Sequence, residues 1–191
     1  MVSAAEHVSV HTKIATPKIV LWIAMASIVM LFAGLTSGYI VRQSEGNWIV
    51  FEIPSAFYLS TGIIIASSLT MFGAQRAAKK DRISEIKTWM IITMGLGLAF
   101  VFCQFFGYNQ LISQGIFFSG GNVSASFFYA LTALHAAHAI GGILALMFTS
   151  GKAILEKYNS KNYLGISLCA IYWHFMGFLW LYLFVFLAAI R

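Results

Sequence analysis

Charged residues are scarce in this chain. Asp, Glu, Lys and Arg together make up 9% of its 191 residues, whereas a soluble domain usually carries about 25% charged residues. Cysteine is also scarce, and the two that occur, Cys103 and Cys169, lack the CxxC spacing of a metal site. The composition therefore argues against a soluble globular protein, and we expect both cysteines to be buried core residues.

Acidic residues are missing from the long apolar segments, and with them the usual catalytic patterns. These segments hold no paired carboxylates for acid–base chemistry and no Glu-x-x-His pattern of a helical di-metal site. The chain has no GxSxG elbow, no P-loop and no charged ring typical of an ion channel. These absences favour a scaffold, a lipid-binding bundle or a haem anchor, and they disfavour a small ion-coupled carrier.

Hydrophobic residues account for 60% of the sequence and form five long runs without internal charge. A membrane-spanning helix needs roughly 20 apolar residues, so each run is long enough to cross a bilayer. Solid runs of this length are typical of helices, whereas the strands of a membrane β-barrel alternate in short segments. We predict an all-α integral membrane protein, with residues 1–17 as a cytoplasmic tail and residues 18–191 as one membrane domain. The expected spans are about 18–41, 55–74, 88–113, 124–150 and 163–190.

The basic residues are distributed unevenly between the two ends of these spans. Ten of the twelve fall in the N-terminal stretch and in the segments 75–87 and 151–162, which share one side of the membrane in a five-span protein. The other side holds only Arg42 and Arg191. Because cytoplasmic segments are enriched in Lys and Arg, we predict a cytoplasmic N-terminus and a periplasmic C-terminus. This distribution accounts for the net charge of +6 without a nucleic-acid partner.

Small residues follow one face of two predicted spans. Gly34 and Gly38 form a GxxxG pair in the first span, and Ala133, Ala137 and Gly141 are spaced four apart in the fourth. Small residues let helix backbones approach closely within a membrane. We therefore expect each stripe to pack against a neighbouring helix.

Three histidines lie inside the spans. His135 and His138 share one face of the fourth span, and His174 lies near the middle of the fifth. An ionisable residue inside a membrane is a candidate functional residue. Three interpretations stay open: ligands of a metal or a haem, members of a proton relay, or neutral imidazoles hydrogen-bonded between helices or to lipid headgroups. The spacing alone favours the third, because proton relays normally include carboxylates and the spans have none.

Aromatic and polar residues surround these histidines in the sequence. Tyr172, Trp173 and Trp180 lie on the fifth span, and Trp173 is too central to belong only to an interfacial aromatic belt. Gln104 and Tyr108 form a polar pair one helical turn apart in the third span. Both groups fit a packed site, and both also fit ordinary contacts between helices.

Arg42 ends the first span at its predicted outer edge. Two interpretations of this residue stay open. In the first, its guanidinium binds a lipid phosphate. In the second, its side chain serves as an anchor that reaches the membrane surface.

Two segments near the C-terminus resemble the signatures of haem-copper oxidase subunit III. The first, FFYALTALHAAHAIGG over 127–142, is similar to the family's aromatic-rich T-G-x-H-G-x-H-x-x-x-G, and the second, YWHFMGFLWLYLF over 172–184, is similar to its Y/F-W-H-F-x-D-x-x-W. Weaker similarities to the family's S-S-x-T and Q-x-x-E-Y occur earlier, so the resemblance runs from about Leu21 to the end. The residues that match are Thr132, His135, His138 and Gly142; Tyr172, Trp173, His174, Phe175 and Trp180; Ser67, Ser68 and Thr70; and Gln104 and Tyr108.

The resemblance implies a fold and a role. The fold is a V-shaped bundle in which the first two helices form one arm, the other three form the second arm, and phospholipid fills the cleft. The role is that of a non-catalytic subunit of a cytochrome c or quinol oxidase, an oxidoreductase complex of the bacterial inner membrane that reduces oxygen to water and translocates protons. Haems and copper belong to the partner subunits, and this chain is expected to carry none. The expected partners are subunit I by direct packing, subunit II, a small subunit IV and membrane lipids.

Within this resemblance, the chain is expected to stabilise subunit I, retain lipids and support proton uptake. The histidines are then structural or lipid-associated, and each neutral imidazole needs a hydrogen-bond partner such as a tyrosine, a threonine or a backbone carbonyl. The alternative from a different class is a haem-b membrane anchor of a quinone-linked dehydrogenase, which requires axial histidine ligands.

Two positions depart from the family pattern. The glutamate of Q-x-x-E-Y falls on Gly107, and the aspartate after W-H-F-x falls on Gly177. A buried charge is costly unless it is paired. Loss of both acidic groups together is therefore tolerable if the two groups act as a unit. Any role of that glutamate in proton transfer is not carried over to this chain.

Overall fold

The computed structural model describes residues 4–44, 48, 50–119, 123–156, 158 and 163–190, with side chains from Thr16 onward. The described residues form five α-helices and no strand. Each helix contains a segment that is long and apolar enough to cross a membrane, which confirms the expected all-helical class with five spans. The helices are α1 (Ala4–Gln43), α2 (Ser55–Lys79), α3 (Ile83–Ser113), α4 (Val123–Ile154) and α5 (Leu164–Ala189).

Several helices extend beyond the apolar runs. The backbone of α1 is helical from Ala4 and continues through Pro17, although only Thr16–Gln43 qualifies as a membrane span. With 31 and 32 residues, α3 and α4 are each about 47 Å long, well above the roughly 30 Å of a bilayer's hydrocarbon core. Their ends therefore reach past the core, where α3 begins with polar residues and α4 ends near Lys152.

Helices α2 to α5 form a closed four-helix bundle. Helix α2 packs against α3 and α5, and α4 packs against the same two helices from the other side. Helix α1 contacts α4 and α5, and within the described residues it does not contact α2. The arrangement therefore differs from the V expected from the resemblance, because α2 is a member of the main bundle and not of an arm shared with α1.

Helix α1 is attached mainly through its C-terminal half. Thr36 and Tyr182 share a hydrogen bond of 3.1 Å, and Gln43 donates from Nε2 to the carbonyl of Ile190 at 3.1 Å. Of the described residues before Phe32, only Met25 is buried. The N-terminal half of α1 thus borders a groove of about 420 Å³ between α1, α4 and α5.

The small-residue stripes do not bring helix backbones into close approach in the described part of the chain. Gly34, Ala133, Ala137 and Gly141 are all exposed, and a Cβ added at Gly34 or Gly141 would meet no other atom within 4 Å. A Cβ at Gly38 would touch one aromatic ring of α4 only at 3.7 Å, an ordinary contact distance. The predicted close packing is therefore wrong for these stripes, because their spacing identifies one face of a helix but not whether that face is inward.

Close packing occurs instead at glycines opposite large aromatic rings. A Cβ at Gly97 would lie 2.6 Å from the indole ring of Trp173, and a Cβ at Gly107 would lie 2.6 Å from the ring of Phe57. Real Cβ contacts are not this short, so both rings occupy space that only glycine leaves open. These glycines let α3 receive one ring from α5 and one from α2.

Candidate functional site

Two tryptophans join α5 to α2 inside the bundle. Trp173 donates its indole N–H to Ser67 Oγ at 2.8 Å, and Trp180 donates to Thr61 Oγ1 at 3.0 Å. Both side chains are 1% exposed. Seven residues are about two helical turns, so the two rings lie on the same face of α5 and form two successive ties to α2.

The polar pair of α3 reaches two different helices. Gln104 donates from Nε2 to Ser60 Oγ of α2 at 3.1 Å, and Tyr108 donates its hydroxyl to Thr132 Oγ1 of α4 at 3.1 Å. Thr132 in turn donates to the carbonyl of Phe128 within its own helix. The pair therefore connects α3 to both of its neighbours in the bundle.

Tyr172 and His138 connect α5 to α4. The hydroxyl of Tyr172 donates to the backbone carbonyl of His138 at 3.1 Å. The ring of His138 bonds through Nδ1 to the carbonyl of Leu134 at 2.8 Å, one turn earlier in α4. The expected backbone partner of an intramembrane imidazole is confirmed for this histidine.

His135 is enclosed by aromatic rings. It is 1% exposed, and its ring centroid lies 5.1 Å from Trp180, 6.0 Å from Phe100 and 6.4 Å from Phe32. Neither of its ring nitrogens has a hydrogen-bond partner among the residues that the structure describes. The expectation of a tyrosine, threonine or carbonyl partner is therefore wrong for His135.

His174 faces α2, away from the other two histidines. Its ring stacks on Phe72 at a centroid distance of 4.0 Å, and its buried Nε2 also lacks a partner within the described part of the chain. A groove of about 230 Å³ between α2 and α5 is lined by this ring, Ser68 and Gly177, together with apolar side chains. His174 therefore belongs to the outer α2–α5 surface of the bundle.

The three imidazoles do not converge on one pocket. His135 and His138 both contact Phe32 of α1, whereas His174 contacts Phe72 of α2. Across the described ranges, no group of three His, Cys, Asp or Glu side chains has the geometry to hold a metal ion. The geometry thus gives no support to a haem held by histidines from two helices, and it favours roles in helix packing.

Several hydroxyl residues of this site were not singled out from the sequence. Ser60 and Thr61 accept bonds from α3 and α5. Thr93 of α3 shares a 2.8 Å hydrogen bond with Thr70 of α2, and of these two only Thr70 was singled out. The available signal was the seven-residue spacing of Ser60 and Ser67, which places both hydroxyls on one face of α2. Spacing alone does not say that a tryptophan or a glutamine lies opposite.

Arg42 lies apart from this polar core. It is exposed in the last turn of α1, and α1 docks there against the end of α5. Both interpretations of Arg42, lipid binding and surface anchoring, stay predictions.

The two positions that lack the family's acidic residues face different levels of α2. A Cβ at Gly107 would meet Phe57, and a Cβ at Gly177 would lie 3.0 Å from Ser68 Oγ. Phe57 and Ser68 are eleven residues apart, which is about 16 Å along a helix. Side chains at the two positions are too far apart for direct pairing, so the geometry gives no support to the idea that the acidic groups act as a contacting unit.

Comparisons with known proteins agree with the resemblance. Residues 49–189 match the family described as cytochrome c oxidase subunit III. The chain is 30% identical over 177 residues to a probable cytochrome c oxidase subunit 3 of Nocardia farcinica, covering 90% of this chain and 86% of the relative. It is 29% identical over 171 residues to cytochrome c oxidase subunit 3 of a Bacillus species, covering 85% and 80%. It is also 29% identical over 176 residues to a probable quinol oxidase subunit 3 of Staphylococcus haemolyticus, covering 87% and 85%.

Proposed function

The chain belongs to the cytochrome c oxidase subunit III family and is a multi-pass membrane subunit of a haem-copper oxidase; from this premise we propose that it is the accessory, non-catalytic subunit of a respiratory terminal oxidase. It packs against subunit I in the bacterial inner membrane, with subunit II and a small subunit IV as further partners. The proposal covers both electron donors, since the relatives include cytochrome c and quinol oxidase subunits.

One observation carries the proposal. The polar side chains of the core are used to join helices, as in the bonds from Trp173 to Ser67, from Gln104 to Ser60 and from Tyr108 to Thr132. Side chains engaged in this way hold a bundle in one arrangement. A rigid bundle is what a scaffold for a neighbouring subunit needs, with haems and copper supplied by the partners.

Lipid retention is assigned to the groove between α1, α4 and α5. Gly141, Ala145 and Leu168 give it an apolar lining, and Thr149 and Tyr172 add hydroxyl groups. Its volume of about 420 Å³ suits an acyl chain of a phospholipid better than a folded partner segment. This position replaces the cleft expected between a two-helix arm and a three-helix arm.

This chain supports proton uptake indirectly. It stabilises its partners and does not itself transfer protons. The position of the family's membrane glutamate is Gly107, and the ring of Phe57 fills the space beside it. No span contributes an acidic side chain in its interior. The chain therefore acts on proton delivery by keeping subunit I and its lipids in place.

The proposal is tested on the oxidase purified with and without this chain. Removal is expected to leave haem content and the initial rate of oxygen consumption close to normal. It is expected to reduce the number of turnovers before inactivation. Loss of a haem together with the chain would contradict the non-catalytic assignment. An unchanged number of turnovers before inactivation would contradict the stabilising role.

A further inference from the structure

Two buried polar side chains, Gln104 of α3 and His135 of α4, keep hydrogen-bonding atoms without a partner among the described residues. Each side chain is 1% exposed. The unpartnered atoms are Oε1 of Gln104 and both ring nitrogens of His135. Unsatisfied polar atoms in an apolar interior destabilise a fold, so these atoms require a partner that the surrounding side chains do not supply.

The orientation of the Gln104 amide is fixed by its neighbour on α2. Ser60 Oγ donates its only hydrogen to the carbonyl of Phe57 at 2.9 Å. It can therefore only accept a bond from Gln104, whose Nε2 lies 3.1 Å away. The amide oxygen is then the atom that points elsewhere, and it requires a hydrogen-bond donor.

The register between α3 and α4 brings the two unpartnered side chains to one level. Tyr108 donates to Thr132 Oγ1, and a Cβ at Gly97 would lie 3.6 Å from Ile143 Cγ1. These two contacts are eleven residues apart on both helices, so the antiparallel pair keeps one register between them. The same register places position 104 opposite position 136, next to the histidine.

Aromatic rings close the other sides of His135. Phe32 and Phe100 make T-shaped contacts with the imidazole, which allow one ring N–H to point at a π face. Trp180 offers no donor to it, because its indole N–H is donated to Thr61. With one nitrogen protonated toward a ring, the second nitrogen of His135 is an acceptor, like the amide oxygen of Gln104.

We propose that Gln104 and His135 together bind one ordered water molecule inside the bundle. The water donates one hydrogen to Oε1 of Gln104 and the other to the unprotonated nitrogen of His135. Phe100 contacts the imidazole and lies one turn before Gln104 on the same face of α3, which puts the Gln104 amide and the His135 ring at neighbouring levels of the α3–α4 interface. Buried waters commonly join polar groups that have no protein partner.

This water completes a hydrogen-bonded path across three helices. It runs from Ser60 of α2 through Gln104 of α3 to His135 of α4. It joins α3 to α4 near the Tyr108–Thr132 hydrogen bond and so gives this interface a second polar contact. The site depends on the fold of this chain and is independent of the proposed accessory role.

The direct test is a cryo-EM map of the purified chain with its bound partners, in lipid nanodiscs, at a resolution that shows ordered water. We expect one density peak within about 2.5–3.2 Å of both Gln104 Oε1 and a ring nitrogen of His135. No peak at this position, or a direct contact between the two side chains, overturns the proposal.

A double-mutant cycle gives a second readout. Gln104→Leu and His135→Phe are each expected to lower the temperature at which the chain dissociates from its partners. The double variant is expected to lower it no further than the worse single variant, because all three lose the same bridge. The control pair is Gln104→Leu with Thr36→Val, whose hydrogen bond joins α1 to α5, and its effects should add. Additive effects of the Gln104 and His135 substitutions would overturn the proposal.

Discussion

The indole N–H of Trp173 on α5 donates to Ser67 Oγ on α2 at 2.8 Å, and the two residues are 106 positions apart in the chain. The far edge of the same ring occupies the space above Gly97, where a Cβ would come within 2.6 Å. One side chain of α5 therefore holds α2 by a hydrogen bond and α3 by close packing. The tryptophan of the W-H-F segment thus acts at the centre of the four-helix bundle.

Replacing Trp173 tests whether its side chain links α5 to α2 and α3. Trp173→Phe is expected to destabilise the bundle by about 2–3 kcal/mol, because it leaves Ser67 without its donor and opens space above Gly97. The measurement is the thermal release of the chain from the purified complex. Trp22→Phe is the matched control, since Trp22 is 61% exposed, and it should leave the release temperature unchanged. Equal behaviour of the two variants would contradict the account.

Gly97 should tolerate no larger side chain. Gly97→Ala is expected to cost about 1–3 kcal/mol, since the added methyl group overlaps the Trp173 ring. Gly95→Ala on the same helix is the control, because a Cβ there meets nothing within 4 Å and alanine favours a helix. Assembly yield and release temperature should fall for the first variant only. A neutral Gly97→Ala would show that the ring does not fill this space.

A long polar side chain at position 107 is expected to impair assembly unless the residues around it change as well. Gly107→Gln is expected to reduce assembly, because Phe57 occupies the space that the side chain needs. Gly95→Gln controls for the cost of placing an amide in the membrane. The yield of complex from membranes of cells producing each variant is the measurement. Normal assembly of Gly107→Gln would mean that Phe57 moves away easily.

The lipid assignment predicts a loss of bound phospholipid when the groove is filled. Ala145→Phe projects a ring into the groove between α1, α4 and α5, whereas Leu144→Phe changes an exposed residue on the neighbouring face. Phospholipid retained per complex after delipidating washes should fall for Ala145→Phe and stay normal for Leu144→Phe. Equal lipid content in both variants would contradict the assignment of lipid binding to this groove.

Much of the fold could be predicted because composition and membrane thickness leave few options. Uncharged runs of helix-spanning length predicted all five helices, and the order of Trp173, His174 and Trp180 identified the family. The side of the membrane on which each terminus lies stays a prediction from the distribution of Lys and Arg.

The arrangement of the helices was harder to predict. Spacing places Gly141 and Gly142 on adjacent faces of α4, but only the structure distinguishes exposed Gly141 from Gly142, whose Cβ would meet Tyr172 and Trp173 at 3.2–3.3 Å. In the same way, the family resemblance implied that the first two helices form one arm. Helix α2 instead joins the bundle because its hydroxyl face has partners on α3 and α5.

The most direct measurement for the central claim is a reduced-minus-oxidised spectrum of the tagged chain purified in mild detergent. It is recorded before and after the chain is stripped from its partners. The account predicts that the haems of a haem-copper oxidase co-purify with the intact complex and that the stripped chain is colourless. A stripped chain that keeps a b-type haem would contradict the account, and His135, His138 and His174 would then be the first ligands to replace.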